Sequence, residues 1–164
     1  MTKNPAKMTR VSDRSELEYS QRHIIWACGM AVLYFLAIPP LAQAQDFTWT
    51  TNADDTITIT SYTGAGGDVV IPTTIEDKIV TIVGTNAFLW NDTVTRVSIP
   101  AGITNIENGA FLFCHGLEAF DVAATNSSYS SLNGVLFNKD QQTLLNYPGG
   151  KAGDYSIPPG VTNI

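Results

Sequence analysis

Cys114 and His115 are adjacent, and they are the residues of this sequence best suited to chemistry. A thiol beside an imidazole can act as a nucleophile and its base when both side chains reach the same point. Adjacent residues in a tight turn usually point apart, and the aligned positions 23 residues earlier hold Asn91 and Asp92. The sequence therefore predicts a structural cysteine and no catalytic residues.

Other patterns that could hold a cofactor are incomplete. After residue 44 the chain has one histidine and one cysteine, which cannot complete a tetrahedral metal site. The acidic pairs Asp54-Asp55 and Glu76-Asp77 lack the alternating oxygen ligands of a calcium loop and are interpreted as solvated turns. The glycine-rich segment 64–67 is not followed by Lys-Ser/Thr or a helix, so it does not predict a phosphate loop. We expect no cofactor and no metal.

The first 44 residues have the pattern of a secretory signal peptide. Five basic residues precede an apolar run from Ile24 to Ile38, and Ala42-Gln43-Ala44 matches the small-residue site of a signal peptidase. The alternative is an uncleaved membrane anchor, but the apolar run is shorter than the about 20 residues that span a bilayer. Cleavage after Ala44 predicts a secreted or cell-surface protein without membrane insertion.

The charge balance excludes two kinds of partner. Residues 1–44 hold five of the nine Lys/Arg and three of the fifteen Asp/Glu, which leaves four basic and twelve acidic residues, a formal charge of −8. Nucleic-acid binding depends on Lys and Arg that neutralise phosphates, and anionic lipid attracts basic segments. We therefore expect neither nucleic acid nor membrane as a partner.

The rest of the chain repeats itself. Residues 80–88 realign with residues 103–111, and residues 98–106 recur at 156–164 with seven of nine residues identical. A period in the twenties is typical of leucine-rich solenoids, in which each repeat is one coil. The predicted fold is a mainly-β repeat solenoid with short helical or 3₁₀ turns starting at 86–88 and 109–111. Short parallel strands are predicted to open the four repeats, at Val69–Pro72, Val97–Pro100, Phe120–Val122 and Tyr155–Pro158.

Three segments depart from the regular repeat. Residues 45–68 alternate apolar residues with threonine around a polar turn, which predicts a β-hairpin that caps the repeats at 69–164. The third repeat is longer and predicts an inserted hairpin at about 134–147. The last repeat is truncated at Ile164, so we expect the N-terminal part of a longer protein or a truncated product. The alternative is that the last strand ends the domain.

These motifs resemble the BspA-type leucine-rich repeats of secreted and surface proteins. The resemblance covers Phe47 to Ile164. It is carried by the Ile-Pro strand ends, the Gly-Ala-Phe-x-x-Cys-x-x-Leu run at 109–117, and the Gly-Val-Leu-Phe-Asn segment at 134–138 followed by Tyr-Pro-Gly-Gly at 147–150. It implies a right-handed solenoid that takes part in adhesion or in binding extracellular proteins. Gly102 stands where better-known leucine-rich repeats have asparagine, so no asparagine ladder is expected.

The outward positions of the predicted parallel sheet form a candidate binding face. Their polar and mixed character suits a wet protein interface, although an ordinary solvated face is equally compatible. The candidate residues are Thr95, Arg96, Ser98, Glu118, Ala119 and Asp121.

The leading interpretation is a non-enzymatic extracellular module for protein interaction or adhesion. A glycan-binding module also fits, because aromatic residues can stack on sugar rings, although their repeat positions favour core or rim packing. An extracellular-matrix structural module and the N-terminal accessory domain of a larger secreted enzyme are compatible with the same sequence. The aromatic residues concerned are Trp49, Tyr62, Trp90, Phe113 and Tyr155.

Overall fold

The computed structural model describes residues 46–164, and this part of the chain is built from eleven β-strands. The expected mainly-β fold is confirmed. Between residues 46 and 164 there is no helix that is long and apolar enough to cross a membrane. The predicted signal peptide, residues 1–44, lies outside the described residues.

A hairpin forms the N-terminal end of the described chain. Strands β1 (Phe47–Thr51) and β2 (Ile57–Tyr62) pair antiparallel, within the segment where the sequence predicts a hairpin. Alternation gives β2 one buried face, on which Ile57 and Ile59 are fully buried. The other edge of β2 pairs parallel with β5 (Lys78–Val83), so the hairpin is joined to the repeats by backbone hydrogen bonds.

Three strands from successive repeats form a parallel sheet in the order β3-β6-β8. They are β3 (Gly67–Val70), β6 (Val94–Ile99) and β8 (Ala119–Val122). Val69 pairs with Val97, and Val97 pairs with Phe120, so residues 28 and 23 positions apart lie at the same height. All three side chains are buried. The sequence repeat is therefore matched by a repeat in space.

A second set of strands belongs to the first two repeats and pairs with the N-terminal hairpin. Strand β5 pairs parallel with β7 (Asn105–Ile106) and antiparallel with β4 (Thr74–Ile75). Side chains from both sets meet in one buried cluster. Within the cluster, the ring of Phe111 lies 4.9 Å from that of Phe88 and 5.0 Å from that of Phe120. The phenylalanines of neighbouring repeats thus pack on each other, as the alignment predicts.

The helical turns predicted at 86–88 and 109–111 are absent. The chain there forms consecutive turns with neither α- nor 3₁₀-helix. A right-handed helix cannot continue through left-handed residues, and residues 86–90 and 109–113 contain two of them each. Their φ angles are 60° at Asn86, 59° at Trp90, 72° at Gly109 and 60° at Phe113. The prediction of helical turns was wrong.

The third repeat contains an antiparallel sheet of three strands. Strands β10 (Val135–Asn138) and β11 (Leu144–Asn146) form a hairpin where the sequence predicts one. The sequence did not predict β9 (Tyr129–Leu132), which pairs with the other edge of β10. Val135, Leu136 and Phe137 are all buried, so this strand is covered on both faces.

The fourth predicted strand, Tyr155–Pro158, is also absent, and Ile157 is 49% exposed. The inserted sheet reaches the edge of β8 that this strand would use. Phe120 N–H donates to Gly134 O at 2.9 Å, and Val122 N–H donates to Ser131 Oγ at 3.2 Å. The last residues instead bond beside β11, with Leu144 N–H donating to Asn163 O at 3.0 Å.

Candidate functional site

Five of the six residues predicted for the binding face lie at the surface of β3-β6-β8. Arg96, Glu118 and Asp121 are exposed, and Thr95 and Ser98 are partly exposed. Cross-strand pairing adds Asp68 beside Arg96, and the 44% exposed Val70 beside Ser98. We name this set, Asp68, Val70, Thr95, Arg96, Ser98, Glu118 and Asp121, the sheet face.

Ala119 does not belong to the sheet face. It pairs with Arg96 in the sheet but is only 9% exposed. Its side chain lies against Gly134, where an added Cβ would come within 2.9 Å of the Ala119 Cβ. The inserted sheet covers this position, and no local pattern around Ala119 predicts that coverage. The prediction that Ala119 contributes to an exposed binding face was wrong.

Charge on the sheet face is arranged around Asp68. Its carboxylate accepts a hydrogen bond from Thr95 Oγ1 at 3.1 Å, and Arg96 Nε lies 3.9 Å away. Exposed pairs of this kind contribute little to stability. The sheet face carries one positive charge, at Arg96, and three carboxylates, of which that of Asp68 is the one paired with Arg96.

The side chains of Cys114 and His115 contact different residues. The Cys114 thiol is buried and donates to Phe88 O at 2.9 Å, and burial raises its pKa. The His115 ring lies at the surface, with Nδ1 3.0 Å from Asp92 Oδ1. The His115 N–H also donates to Asp92, and these bonds lower the pKa of the Asp92 carboxyl. Thiol and imidazole therefore have separate partners.

Metal ligands are not gathered in the part of the chain that the structure describes. Within residues 46–164, no group of three or more His, Cys, Asp or Glu side chains lies close enough together to hold a metal ion.

Two of the five aromatic residues considered for sugar stacking are exposed. Trp90 is 61% exposed and Phe113 is 44% exposed, and their rings stack at 4.3 Å with an interplanar angle of 22°. They occupy equivalent positions in two successive repeats. Tyr62 is buried, Trp49 packs against the core, and Tyr155 contacts Tyr147 at 5.1 Å.

The exposed pair belongs to two stacked loops, which we name the first turn (residues 84–91) and the second turn (residues 107–114). Two clefts of about 160 and 260 Å³ lie against the second turn. Both are lined by Phe111 and Asn146; the smaller also contacts Leu136 and Tyr129, and the larger contacts Phe113 and Tyr147. The smaller and larger clefts are referred to together as the turn clefts.

Asn126 is an important structural residue that the sequence patterns did not reveal. It is completely buried and makes four side-chain hydrogen bonds, to Pro100 O, Ile103 O, Ser128 N–H and Tyr129 N–H. It therefore joins the second repeat to the third, and it lies next to the position of the consensus asparagine of leucine-rich repeats. The consensus spacing places that asparagine one residue earlier, at Thr125, so a match to the consensus could not identify it.

No protein-family model matches the sequence, and no curated protein is significantly similar to it. A leucine-rich repeat protein from Eubacterium ventriosum has a similar structure, with a TM-score of 0.51 and 31% identity over 58% of this chain and 24% of that one. A leucine-rich repeat protein from T. pallidum gives a TM-score of 0.48 and 32% identity over 50% of this chain and 39% of that one. A leucine rich cell surface protein from Faecalibacterium prausnitzii gives a TM-score of 0.46 and 30% identity over 50% of this chain and 23% of that one.

The chain spans only 23% to 39% of the length of these three proteins. The Eubacterium ventriosum structure is the one of the three that combines a TM-score above 0.5 with more than 30% identity. The likeness to this leucine-rich repeat structure is consistent with the repeat motifs of the sequence and with the parallel pairing of β3, β6 and β8 in this chain. The resemblance is therefore confirmed: this chain is similar to the leucine-rich repeat proteins of bacteria.

Proposed function

We propose that this chain is a non-catalytic repeat module that binds another protein outside the cell through its sheet face. On this proposal the parallel strands β3, β6 and β8 belong to the first coils of a solenoid. In such a fold each coil contacts only its neighbours, so binding surfaces are extended. The separate partners of Cys114 and His115 support a non-catalytic role.

The observation that carries the proposal is the composition of the sheet face. The face contains one arginine, three carboxylates, two hydroxyl groups and the 44% exposed Val70. Arginine is enriched in protein interfaces, whereas aspartate, glutamate and serine are depleted there and belong to the polar rim, so Arg96 is the residue of the sheet face whose type favours an interface. The ordered backbone beneath the face reduces the conformational entropy that a partner must overcome.

An extracellular location is supported by the sequence. Residues 1–44 have the pattern of a signal peptide, and the remaining chain carries a formal charge of −8. Mass spectrometry of the protein exported by its own host would test this, because cleavage after Ala44 leaves a chain that begins at Gln45.

A charge reversal at Arg96 tests the sheet face. Full-length protein and the variant Arg96→Glu are compared for binding to a panel of purified extracellular proteins by surface plasmon resonance. The proposal expects a partner whose affinity falls at least about tenfold with Arg96→Glu, since truncating a buried interfacial charge typically costs about 2 kcal/mol or more.

Lys78→Glu is the matched control. Lys78 also pairs with an exposed aspartate, Asp55, at 2.8 Å, but it lies on β5 outside the sheet face. Its reversal makes the same change in net charge and should leave binding within about twofold. Equal losses for both variants would indicate a general charge effect and would overturn the assignment to the sheet face.

Carbohydrate binding is the second candidate, favoured by the exposed stack of Trp90 on Phe113. Aromatic faces bind the apolar faces of sugar rings, and Trp90 is 61% exposed. A glycan array with the full chain tests it. Strong sugar binding that is lost with Trp90→Ala, but kept with Arg96→Glu, would replace protein binding by glycan binding as the function.

A further inference from the structure

The larger of the turn clefts is lined by one ring from each of two aromatic pairs. Trp90 stacks on Phe113 with ring centroids 4.3 Å apart, and Tyr147 contacts Tyr155 at 5.1 Å. Phe113 and Tyr147 both line the cleft, and they are 44% and 38% exposed. The cleft therefore offers two accessible aromatic rings to a ligand.

Two segments of this chain form the larger cleft, residues 111–115 and residues 146–149. Their backbones are in direct contact at Gly149, where an added Cβ would come within 2.9 Å of Cys114 O. The space that remains between the segments has a volume of about 260 Å³. Pockets for drug-sized ligands have about 300–1,000 Å³, so this cleft suits a molecule with a single ring.

The wall of the larger cleft also contains polar groups that can take further hydrogen bonds. The ionised Asp92 carboxylate can only accept, so in the neutral His115 ring Nδ1 donates to it at 3.0 Å, and Nε2 is left as an acceptor. Phe113 N–H donates to no protein group within residues 46–164. The Asn146 carboxamide, in the same lining, offers both an acceptor and donors. A ligand with donors and acceptors around its edge would complete these hydrogen bonds.

The larger cleft lacks a partner for a charged ligand. Among the residues of the described chain that line it, none is Lys, Arg, Asp or Glu. An ionised group that leaves water needs a paired charge, so an uncharged ligand fits better. The Asp92 carboxylate, which is bonded to His115 beside the cleft, further disfavours an anion. Since a hydroxyl group both donates and accepts, the fitting ligand is an uncharged ring with apolar faces and hydroxyl groups at its edge.

We propose that the larger cleft binds one uncharged sugar ring in its pyranose form. The C–H groups on one face of the sugar pack on the ring of Phe113 or Tyr147. The hydroxyl groups of the sugar accept from Phe113 N–H and donate to His115 Nε2. This proposal rests on the second candidate function, carbohydrate binding, and gives it a defined site. The Trp90 ring does not line the cleft and is not part of that site.

A titration with small glycosides, followed by NMR, tests the site. The isotope-labelled full chain is titrated with the methyl pyranosides of glucose, galactose, mannose and N-acetylglucosamine. At least one of them should bind with a Kd on the order of 1–10 mM, as expected for a ligand of so few atoms. Amide signals should move at Phe113, His115, Asn146 and Tyr147. Hydrogen exchange of the Phe113 amide should slow at least tenfold on saturation.

Variants of the protein isolate the aromatic contacts. Phe113→Ala and Tyr147→Ala each remove one aromatic wall and should weaken binding of the best glycoside at least tenfold. Tyr147→Phe keeps the ring and should bind within about twofold of the wild type. Leu89→Ala, which trims a 36% exposed side chain outside the cleft, should also stay within about twofold.

A change in the sugar tests the preference for an uncharged ligand. Replacing the C6 hydroxymethyl group of the best glycoside by a carboxylate should weaken its binding at least tenfold, because the cleft has no cation to pair with it. Equal or tighter binding of the carboxylate form would overturn the proposal. Tighter binding of indole than of any glycoside would assign the cleft to an aromatic ligand and would also overturn it.

The outcomes separate this site from carbohydrate binding in general. Glycan binding that is lost with Trp90→Ala but kept with Phe113→Ala and Tyr147→Ala would overturn the site and leave carbohydrate binding standing. The same holds if a glycan array shows strong binding while no glycoside moves the amide signals of the cleft. An array without any binding would overturn carbohydrate binding itself. None of these results bears on the sheet face, whose test uses Arg96→Glu.

Discussion

Replacement of Phe111 by alanine tests the packing between repeats. The Phe111 ring is 5% exposed and lies between the rings of Phe88, at 4.9 Å, and Phe120, at 5.0 Å. These two rings belong to different strands and turns, so they cannot easily close the space that the variant leaves. Removing a buried phenylalanine side chain typically costs about 3–5 kcal/mol, and we expect Phe111→Ala to lower the free energy of unfolding by about 4 kcal/mol.

The loss is measurable in two ways. For a domain of this size, 1 kcal/mol shifts the melting temperature by about 3–5 °C, so Phe111→Ala should melt roughly 10–20 °C lower. Urea unfolding followed by circular dichroism gives the free energy directly. The slope of that free energy with urea should not change, because the fold is the same.

Phe113→Ala is the matched control, with the same substitution two residues away. Phe113 is 44% exposed and stacks on Trp90, so its loss should cost only about 1 kcal/mol. Equal costs for the two variants would refute the reasoning. They would mean that the Phe111 ring is not enclosed between neighbouring repeats.

Three further variants test other contacts. Asn126→Ala should cost about 3 kcal/mol in urea unfolding, because it leaves one buried and three partly buried backbone groups without their partner. A cost below about 1 kcal/mol would contradict this. Gly116→Ala should lower the free energy of unfolding by at least about 2 kcal/mol, because the added Cβ would overlap the Asp92 carbonyl oxygen. Gly102→Ala should cost less, because its added Cβ would lie 3.2 Å from Val80 O. Hydrogen bonds from Thr85 lower the pKa of the Glu107 carboxyl. The ionised Glu107 carboxylate therefore stabilises the folded state above the ordinary carboxyl pKa, and this stabilisation is lost as the pH falls through the lowered pKa. The urea midpoint should therefore fall less steeply from about pH 6 to about pH 3 in Glu107→Gln than in the wild type, and identical slopes would count against this effect.

Local patterns predicted much of the regular repeat. Alternation of apolar residues with polar ones places Val97 and Ile99 on the buried face of β6, and both are buried in the structure. The alignment of Phe88 with Phe111 predicts that the two rings meet between repeats, and they do. These predictions succeed because strand alternation and repeat register depend on short stretches of sequence.

The turns show where local patterns fail. Asn-Ala-Phe and Gly-Ala-Phe each centre on alanine, a good helix former, yet no helix forms because Trp90 and Phe113 adopt left-handed backbone angles. Aromatic residues seldom adopt such angles, so composition does not predict them. The hydrogen bonds between the first and second turns hold this conformation, and they join residues 22 positions apart.

The sequence alone determined the repeat period, the strands of the second and third repeats, and the buried phenylalanines; the first repeat strand lies at Gly67–Val70, two residues before its predicted position. Each of these follows from residues that are close in sequence or related by one period. Only the tertiary structure decided that Ala119 is buried, that the fourth strand does not form, and that Phe111 N–H and Phe113 N–H of the second turn find no acceptor within residues 46–164. All three depend on where the inserted sheet β9-β10-β11 lies, and its position is set by contacts with β8 and the second turn that no local pattern encodes.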